Sequence, residues 1–410
     1  MAGRDDITVM LRHALPSGVV EMPGGRSWKV TPQNGSEVAR VCMIASEAGV
    51  PILPAGSDGD DGAILLDLCG LSDIHSLNEV ALTVHAGAGI RVRDLEVILK
   101  DHGFTLGFAM VPYLDPKLGG FLCGQGWAEA SVLFGHPCEA AIGIEGVLPT
   151  GRPFRLKPAP RRAVGPDISH LFLGAEGRLG ILTSAHVRFH PLPRVRRTVA
   201  AVLPTMDVGL ESAARIVHDG LRPAFARILA GGPGGEPSGA VLVAGFEGEP
   251  GIVEAFHSMA LEIVEGKARG LLAEDHPLAG RQIRSPSSDP DRDDHVTATA
   301  QWDRAGEMAG RVALVLGDGL VSTRISDFLD EGCAVTWTVR IDRSGASGQH
   351  DPSLIERAAG EVRSLGGTIT AHHGPFVTAP SGILAIDESF DYFYSDLCSI
   401  LDPSSILKRG

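Results

Sequence analysis

The feature that most constrains the fold is the alternation of short strand-type runs with amphipathic helical stretches, separated by only a few residues. Trp28 to Val30 can start a strand that must stop at Pro32. Residues 36–48 then place Val38, Val41, Cys42 and Ala45 on one helical face, with Ser36 as the N-cap and Gly49 after the last turn. Further strands follow at 50–54, 64–68 and 81–87, and a helix at 93–102 ends at Gly103. This order with short connections indicates an α/β or α+β domain. Past the proline and basic run at 191–197 the alternation restarts. Helices are expected at 210–218, 252–264, 297–316 and 352–365, strands at 240–246, 321–325 and 333–339, and a long loop at 272–295. A chain of 410 residues exceeds the roughly 250–300 residues that one hydrophobic core usually serves, so two domains are expected.

Aromatic residues make up only 5%, so the core must be built from aliphatic side chains, which suits buried strands flanked by helices. The formal charge of −14 repels phosphate backbones and anionic lipid and argues against nucleic acid or membrane surfaces as partners. No apolar run approaches the ~20 residues of a membrane span. The first residues carry charge where a signal peptide needs an apolar stretch, so a cytoplasmic location is expected. The six cysteines at 42, 69, 123, 138, 333 and 398 form no C-x-x-C pair and read as reduced thiols. No clustered ligand set for a metal is visible.

Three glycine-bearing elements then stand in a telling order. The run GPDISHLFLGAEGRLGILT at 165–183 has glycines at 177 and 180 that let backbone approach a ligand. LGGFLCGQG at 118–126, followed by Phe134–Gly135, carries paired glycines of the kind that turn amides toward a pyrophosphate. AGAGIRVRDL at 86–95 is the third. In the second half stand GFEG at 245–248, TATAQW at 297–302, ISDFLDEG at 325–332, GGTITAHHG at 366–374 and LDPSSIL at 401–407. In this order the motifs resemble those of the vanillyl-alcohol oxidase superfamily of flavoenzymes, and within it the alkyldihydroxyacetonephosphate synthases. The similarity runs from about residue 28 to residue 407.

The resemblance implies an α+β chain. A PCMH-type FAD-binding domain of two subdomains occupies 26–193 after an irregular lead-in at 1–25. An α+β cap of the FAD-linked oxidase C-terminal type follows at 194–395, and a C-terminal segment at 396–410 returns to the first domain. It also implies that FAD is held by Pro54, Gly56, Ser57 and Gly59, by Lys117, Gly119, Gly120 and Gly124, and by Glu176, Gly177, Gly180, Ile181 and Thr183. The first loop departs from the family's P-x-G-G-G-T-S pattern, bringing Asp58, Asp60 and Asp61 near the pyrophosphate. No histidine stands between that loop and His75, so the FAD is expected to be non-covalent.

In the cap, the synthases' active-site tyrosine falls on Thr336, with Trp337 beside it, and the histidine of their S-H-x-Y turn falls on Asp327. Ala371 replaces the first of three histidines and leaves His372 and His373 as the acid/base pair. Asp327, Thr336 and Trp337 are expected to line the substrate, with Asp327 able to hydrogen-bond one of the histidines. Arg281, Arg284 and Arg292 read as solvated surface. The leading function is an FAD-dependent oxidoreductase acting on a small alcohol or hydroxy acid beneath the cap. Synthase-like, non-redox flavin exchange is an alternative, opposed by Thr336, whose hydroxyl cannot replace a phenol in proton transfer. A flavin-depleted binding subunit or flavin-free catalyst is the other, favoured by the acidic loop. A homodimer is left open.

Overall fold

The computed structural model describes residues 4–16, 18–21, 27–55, 62–110, 115–124, 128–129, 131–159, 165–231, 239–281, 293–340, 352–373 and 388–407. Arg4–Ala14, inside the stretch expected to be irregular, forms helix α1. Ile7, Leu11 and Ala14 recur at helical spacing and bury against α2 (Gly35–Ala48). Helix α2 starts just before the expected Ser36 cap, because Asn34 accepts from the Glu37 amide at 3.0 Å while the Glu37 carboxylate accepts from the Gln33 amide at 2.7 Å. These helices belong to a four-stranded sheet in the order 19–21, 28–30, 64–66, 52–54, its last two pairings parallel.

A second, five-stranded antiparallel sheet has the order 153–156, 141–147, 181–188, 83–87, 74–78. Helices α3 (Val92–Asp101) and α4 (Leu118–Cys123) share a core with Val84, Ala86, Ile144 and Val187 from one of its faces. The short α5 (Ser169–Phe172) precedes the long 181–188 strand.

The C-terminal half is an eight-stranded antiparallel sheet in the order 270–271, 195–203, 240–248, 225–231, 320–326, 332–340, 293–301, 368–373. Helices α6 (Met206–His218), α7 (Pro250–Val264), α8 (Trp302–Leu316) and α9 (Pro352–Ser364) supply the core of one face. The helix expected to begin at Thr297 begins at Trp302. Residues 293–301 are a strand paired along its whole length with 332–340, and Val296, Ala298 and Ala300 alternate into the core. That two-residue period with β-branched Thr297 and Thr299 between is strand chemistry.

The other face of this sheet meets the N-terminal half. Ala200, Phe225, Val241 and Val243 pack there with Leu133 and Phe134. Arg281, expected on the solvated surface, is half-buried at the same junction. It donates to the Glu247 carboxylate at 2.8 Å and to the Gly107 carbonyl at 2.5 Å, and Arg196 donates to the same carboxylate at 2.6 Å. Helix α10 (Glu388–Leu401) packs Tyr394, Leu397 and Leu401 on the core of the five-stranded sheet. The chain then runs beside the 52–54 strand, where the Ile52 amide donates to the Ile406 carbonyl at 2.6 Å. Asp402 fixes this end by accepting from the amides of Ile406 and Leu407. Among the described residues no helix is long and apolar enough to cross a membrane.

Candidate active site

Pro54 ends its strand opposite Leu66, and the next residue, Asp67, gathers the charges of the site. Lys29 donates to Asp67 at 3.0 Å, and Lys117 donates to its other carboxylate oxygen. Burial alone would raise the Asp67 carboxyl. The hydrogen bonds from Lys117 and Lys29, with the Cys69 amide, outweigh burial and hold it well below the usual carboxylate range. Two ammonium groups around one carboxylate leave a net positive charge at the root of the 54–62 loop. Gly56, Ser57 and Gly59, with Asp58, Asp60 and Asp61, lie outside the described residues.

In chain order, the second glycine element (118–126) is tied to the first (86–95) by backbone. The Leu118 amide donates to Ile90 and the Gly119 amide to Ala88, both at 2.8 Å. Gly89 passes so close to the Leu68 carbonyl that a Cβ would stand 1.7 Å from its oxygen, so only glycine allows the approach. Gly120 is the opposite case: it is exposed, and a Cβ there would meet nothing within 4 Å. Gly124 caps α4, donating to the Gly120 carbonyl.

The third element joins the second where the Gly174 amide donates to Leu122 and the Glu176 amide to Cys123. Glu176 and Gly177 both hold positive φ, at 52° and 76°, and nothing lies within 4 Å of a Cβ on Gly177. Gly180 fits against Phe172 and the Val147 carbonyl. Ile181 is buried, and the Thr183 carbonyl accepts from Ala88 at 2.9 Å. Burial pushes the Cys123 thiol up to about 12, so it is not a nucleophile at neutral pH. Of the described members of the expected cofactor set, Lys117, Gly119, Gly120, Gly124, Glu176, Gly177, Gly180, Ile181 and Thr183 lie on the linked 117–124 and 174–183 segments, and Pro54 ends the neighbouring 52–54 strand. Exposed Gly120 and the open side of Gly177 leave backbone unscreened by side chains, and the adjacent charge is positive. These residues fit a dinucleotide.

In the cap the expected residues part company. Trp337 is fully buried on the helix-covered face and donates through Nε1 to the Ala309 carbonyl at 3.2 Å, so it belongs to the core and not to a substrate wall. Thr336, one residue earlier, faces the other way and shares a hydrogen bond of 3.0 Å with Thr297. The backbones of His372 and His373 pair with Val296 and His295 in the edge strand, while their side chains lie outside the described residues. Asp327 sits at positive φ just past the end of the 320–326 strand. Register aligns His372 with Val296, Trp337 and Thr323, four residues short of Asp327 and three strands away. At ~3.3 Å per residue and ~4.8 Å per strand the separation is roughly 20 Å, which rules out a hydrogen bond between Asp327 and the histidine pair.

One cross-strand row carries more chemistry than the sequence suggested. Val241, Leu229, Arg324, Thr336, Thr297 and Ala371 stand in successive register across five strand pairings. Its Val241 end belongs to the cluster that packs on the N-terminal half, so the polar end lies on the same face. Arg324 is half-buried there, and His295 lies 3.1 Å from the Thr338 hydroxyl. Arg324 and His295 were missed because they are legible only once residues 293–301 are recognised as a strand. The strand period of Val296, Ala298 and Ala300 was the available signal.

Residues 28–157 match the family described as FAD binding domain. The uncharacterized FAD-linked oxidoreductase YgcU of Escherichia coli O157:H7 is 28% identical over 234 residues, covering 55% of this chain and 47% of its own length. The glycolate oxidase subunit GlcD of Bacillus subtilis is 26% identical over 209 residues, covering 49% and 44%. The chain thus matches less than half the length of these curated relatives. Among solved structures, 4-ethylphenol oxidase from Gulosibacter chungangensis superposes with a TM-score of 0.79 at 14% identity, covering 98% of this chain and 95% of that one. Alkyldihydroxyacetonephosphate synthase gives 0.71 at 18%, covering 93% and 76%. The 86–95 and 118–124 glycine segments therefore lie within the FAD binding domain match, with the 165–183 segment beyond its end, and the chain has the two-part α+β fold of the vanillyl-alcohol-oxidase-type, PCMH-type flavoproteins.

Proposed function

We propose that this protein is an FAD-dependent oxidoreductase that oxidises the CH–OH group of a small hydroxy acid, with the flavin held non-covalently. The observation that carries the reading is the polar end of the cap row: Arg324, Thr336 and Thr297 on the sheet face that meets the flavin-binding half. A guanidinium is the natural partner of a carboxylate, and neighbouring hydroxyls accept or donate to the substrate oxygen. Arg324 orients the acid, and the Thr297–Thr336 pair fixes the height of its hydroxyl. A histidine of the edge strand, His372 or His373, or His295 beside it, takes the hydroxyl proton. Bound FAD supplies the two-electron acceptor. The similarity to a glycolate oxidase subunit supports the same substrate class. Thr336 stands against synthase-like exchange, since its hydroxyl, already bonded to Thr297, has no acidity comparable to a phenol.

The test is anaerobic titration of the yellow protein with short 2-hydroxy acids. Bleaching near ~450 nm is expected with a hydroxy acid and not with the matching alcohol that lacks the carboxylate. Arg324→Met is expected to weaken the hydroxy acid by about 10-fold to 100-fold while flavin content stays unchanged. Equal bleaching by alcohol and acid, or an unaltered response in Arg324→Met, contradicts the assignment.

A further inference from the structure

On the face of the five-stranded sheet opposite α3 and α4, three strands bring together residues far apart in sequence. His85 and His186 are direct register partners, and their rings stack with centroids 3.9 Å apart and 13° between planes. Glu145 stands on the next strand, opposite Ser184. We propose that His85, Glu145 and His186 bind one divalent ion of the zinc type, independently of the flavin reading.

One ligand atom from each of the three lies within 4.8 Å of the others, and all three residues are half-buried. Zinc holds nitrogen and oxygen at about 2.0–2.2 Å, which sets neighbouring ligand atoms about 3.3–3.5 Å apart in a tetrahedron. Reaching that spacing requires the two stacked rings to turn out of their stack so that both in-plane lone pairs face one point. Two imidazoles and one carboxylate leave a fourth position, and partial exposure lets water reach it.

Two further observations favour an ion over a merely polar surface. The His186 Nε2 atom is buried and has no hydrogen-bond partner among the described residues, a costly state that an ion relieves. The outer groups also resemble those that orient metal ligands. Arg155 holds the Glu145 carboxylate at 2.8 Å, Ser184 Oγ lies 3.0 Å from His85 Nε2, and the His75 ring stands 4.6 Å from His85. The absence of clustered ligands along the sequence could not reveal this, because the cluster forms across strands.

The full chain, made without a histidine tag and with its flavin in place, is stripped with a chelator, dialysed against micromolar zinc and assayed for metal by mass spectrometry. One zinc per chain is expected. His85→Gln and His186→Gln should each weaken binding by about 100-fold, and His75→Gln should leave the stoichiometry at one. Flavin absorbance of each variant reports folding, and Glu145→Gln carries the test if a histidine variant does not fold. Failure of the wild type to hold stoichiometric zinc overturns the proposal. So does full binding by His85→Gln and His186→Gln, or zinc that is lost only when His372 and His373 are both replaced by alanine.

Discussion

Gly89 and Gly120 are glycines for opposite reasons, and this separates assembly from ligand binding. A side chain on Gly89 would run into the Leu68 carbonyl, whereas one on Gly120 would enter open space. Gly89→Ala is expected to cost more than about 3 kcal/mol of stability by denaturant titration, because backbone and not a flexible side chain blocks it. Gly120→Val should fold with an unchanged circular dichroism spectrum yet lose at least about tenfold in FAD affinity, since its methyls would occupy the cradle. Loss of folding in Gly120→Val would place its role in packing. Asp67 gives a second residue-level test. Its folded carboxyl titrates well below the unfolded value, so the native state binds that proton less readily than the unfolded chain. Its stabilisation is full above the unfolded pKa of about 3.9 and is lost as pH falls through it toward the lower folded value. Asp67→Asn should therefore lower the thermal midpoint at neutral pH, with the gap to wild type narrowing steadily below about pH 4. A gap that widens on acidification contradicts this.

At the scale of elements, the strands and helices of the first half were largely legible, because Gly49, Gly103 and Pro32 mark where chain direction changes. Helix α1 was not: two aspartates in its first turn and a short apolar stripe conceal a helix that is stable only by packing on α2. The 293–301 strand was misread because alanine favours helix locally, while pairing with 332–340 decides the outcome. That difference hid Arg324 and His295, whereas Trp337 was expected at the substrate through its neighbour Thr336 and the alternation of the strand turns it to the core. Trp337→Ala should cost about 3–5 kcal/mol by chemical denaturation through the cavity it leaves, whereas Thr336→Ala, on the opposite face, should perturb substrate affinity more than stability. The glycine elements were legible because close backbone approach at Gly89 and the positive φ of Gly177 both favour glycine. The first loop's acidic residues and the side chains of His372 and His373 lie outside the described residues.

Across the whole molecule, the two halves are joined through an ion cluster around the buried Glu247 carboxylate. Arg281 and Arg196 share the Glu247 carboxylate, which is fully withdrawn from solvent, and Arg281 continues to the Gly107 carbonyl of the other half. Arg281→Met leaves Glu247 paired with Arg196 alone and the Gly107 carbonyl without this donor, so it should cost about 1–3 kcal/mol and loosen the cap over the flavin-binding half, seen as faster proteolysis after residue 191. Together the cluster, the α10 packing and the strand-side C-terminus join the C-terminal half to the two N-terminal sheets. The claim on which this arrangement depends is that the linked 87–90, 117–124 and 174–183 segments bind FAD. Flavin content per chain, measured by absorbance near ~450 nm after gel filtration and FAD reconstitution, tests it most directly. One equivalent is predicted for the wild type and far less for Gly120→Val. Folded wild-type protein that stays colourless in excess FAD would contradict it.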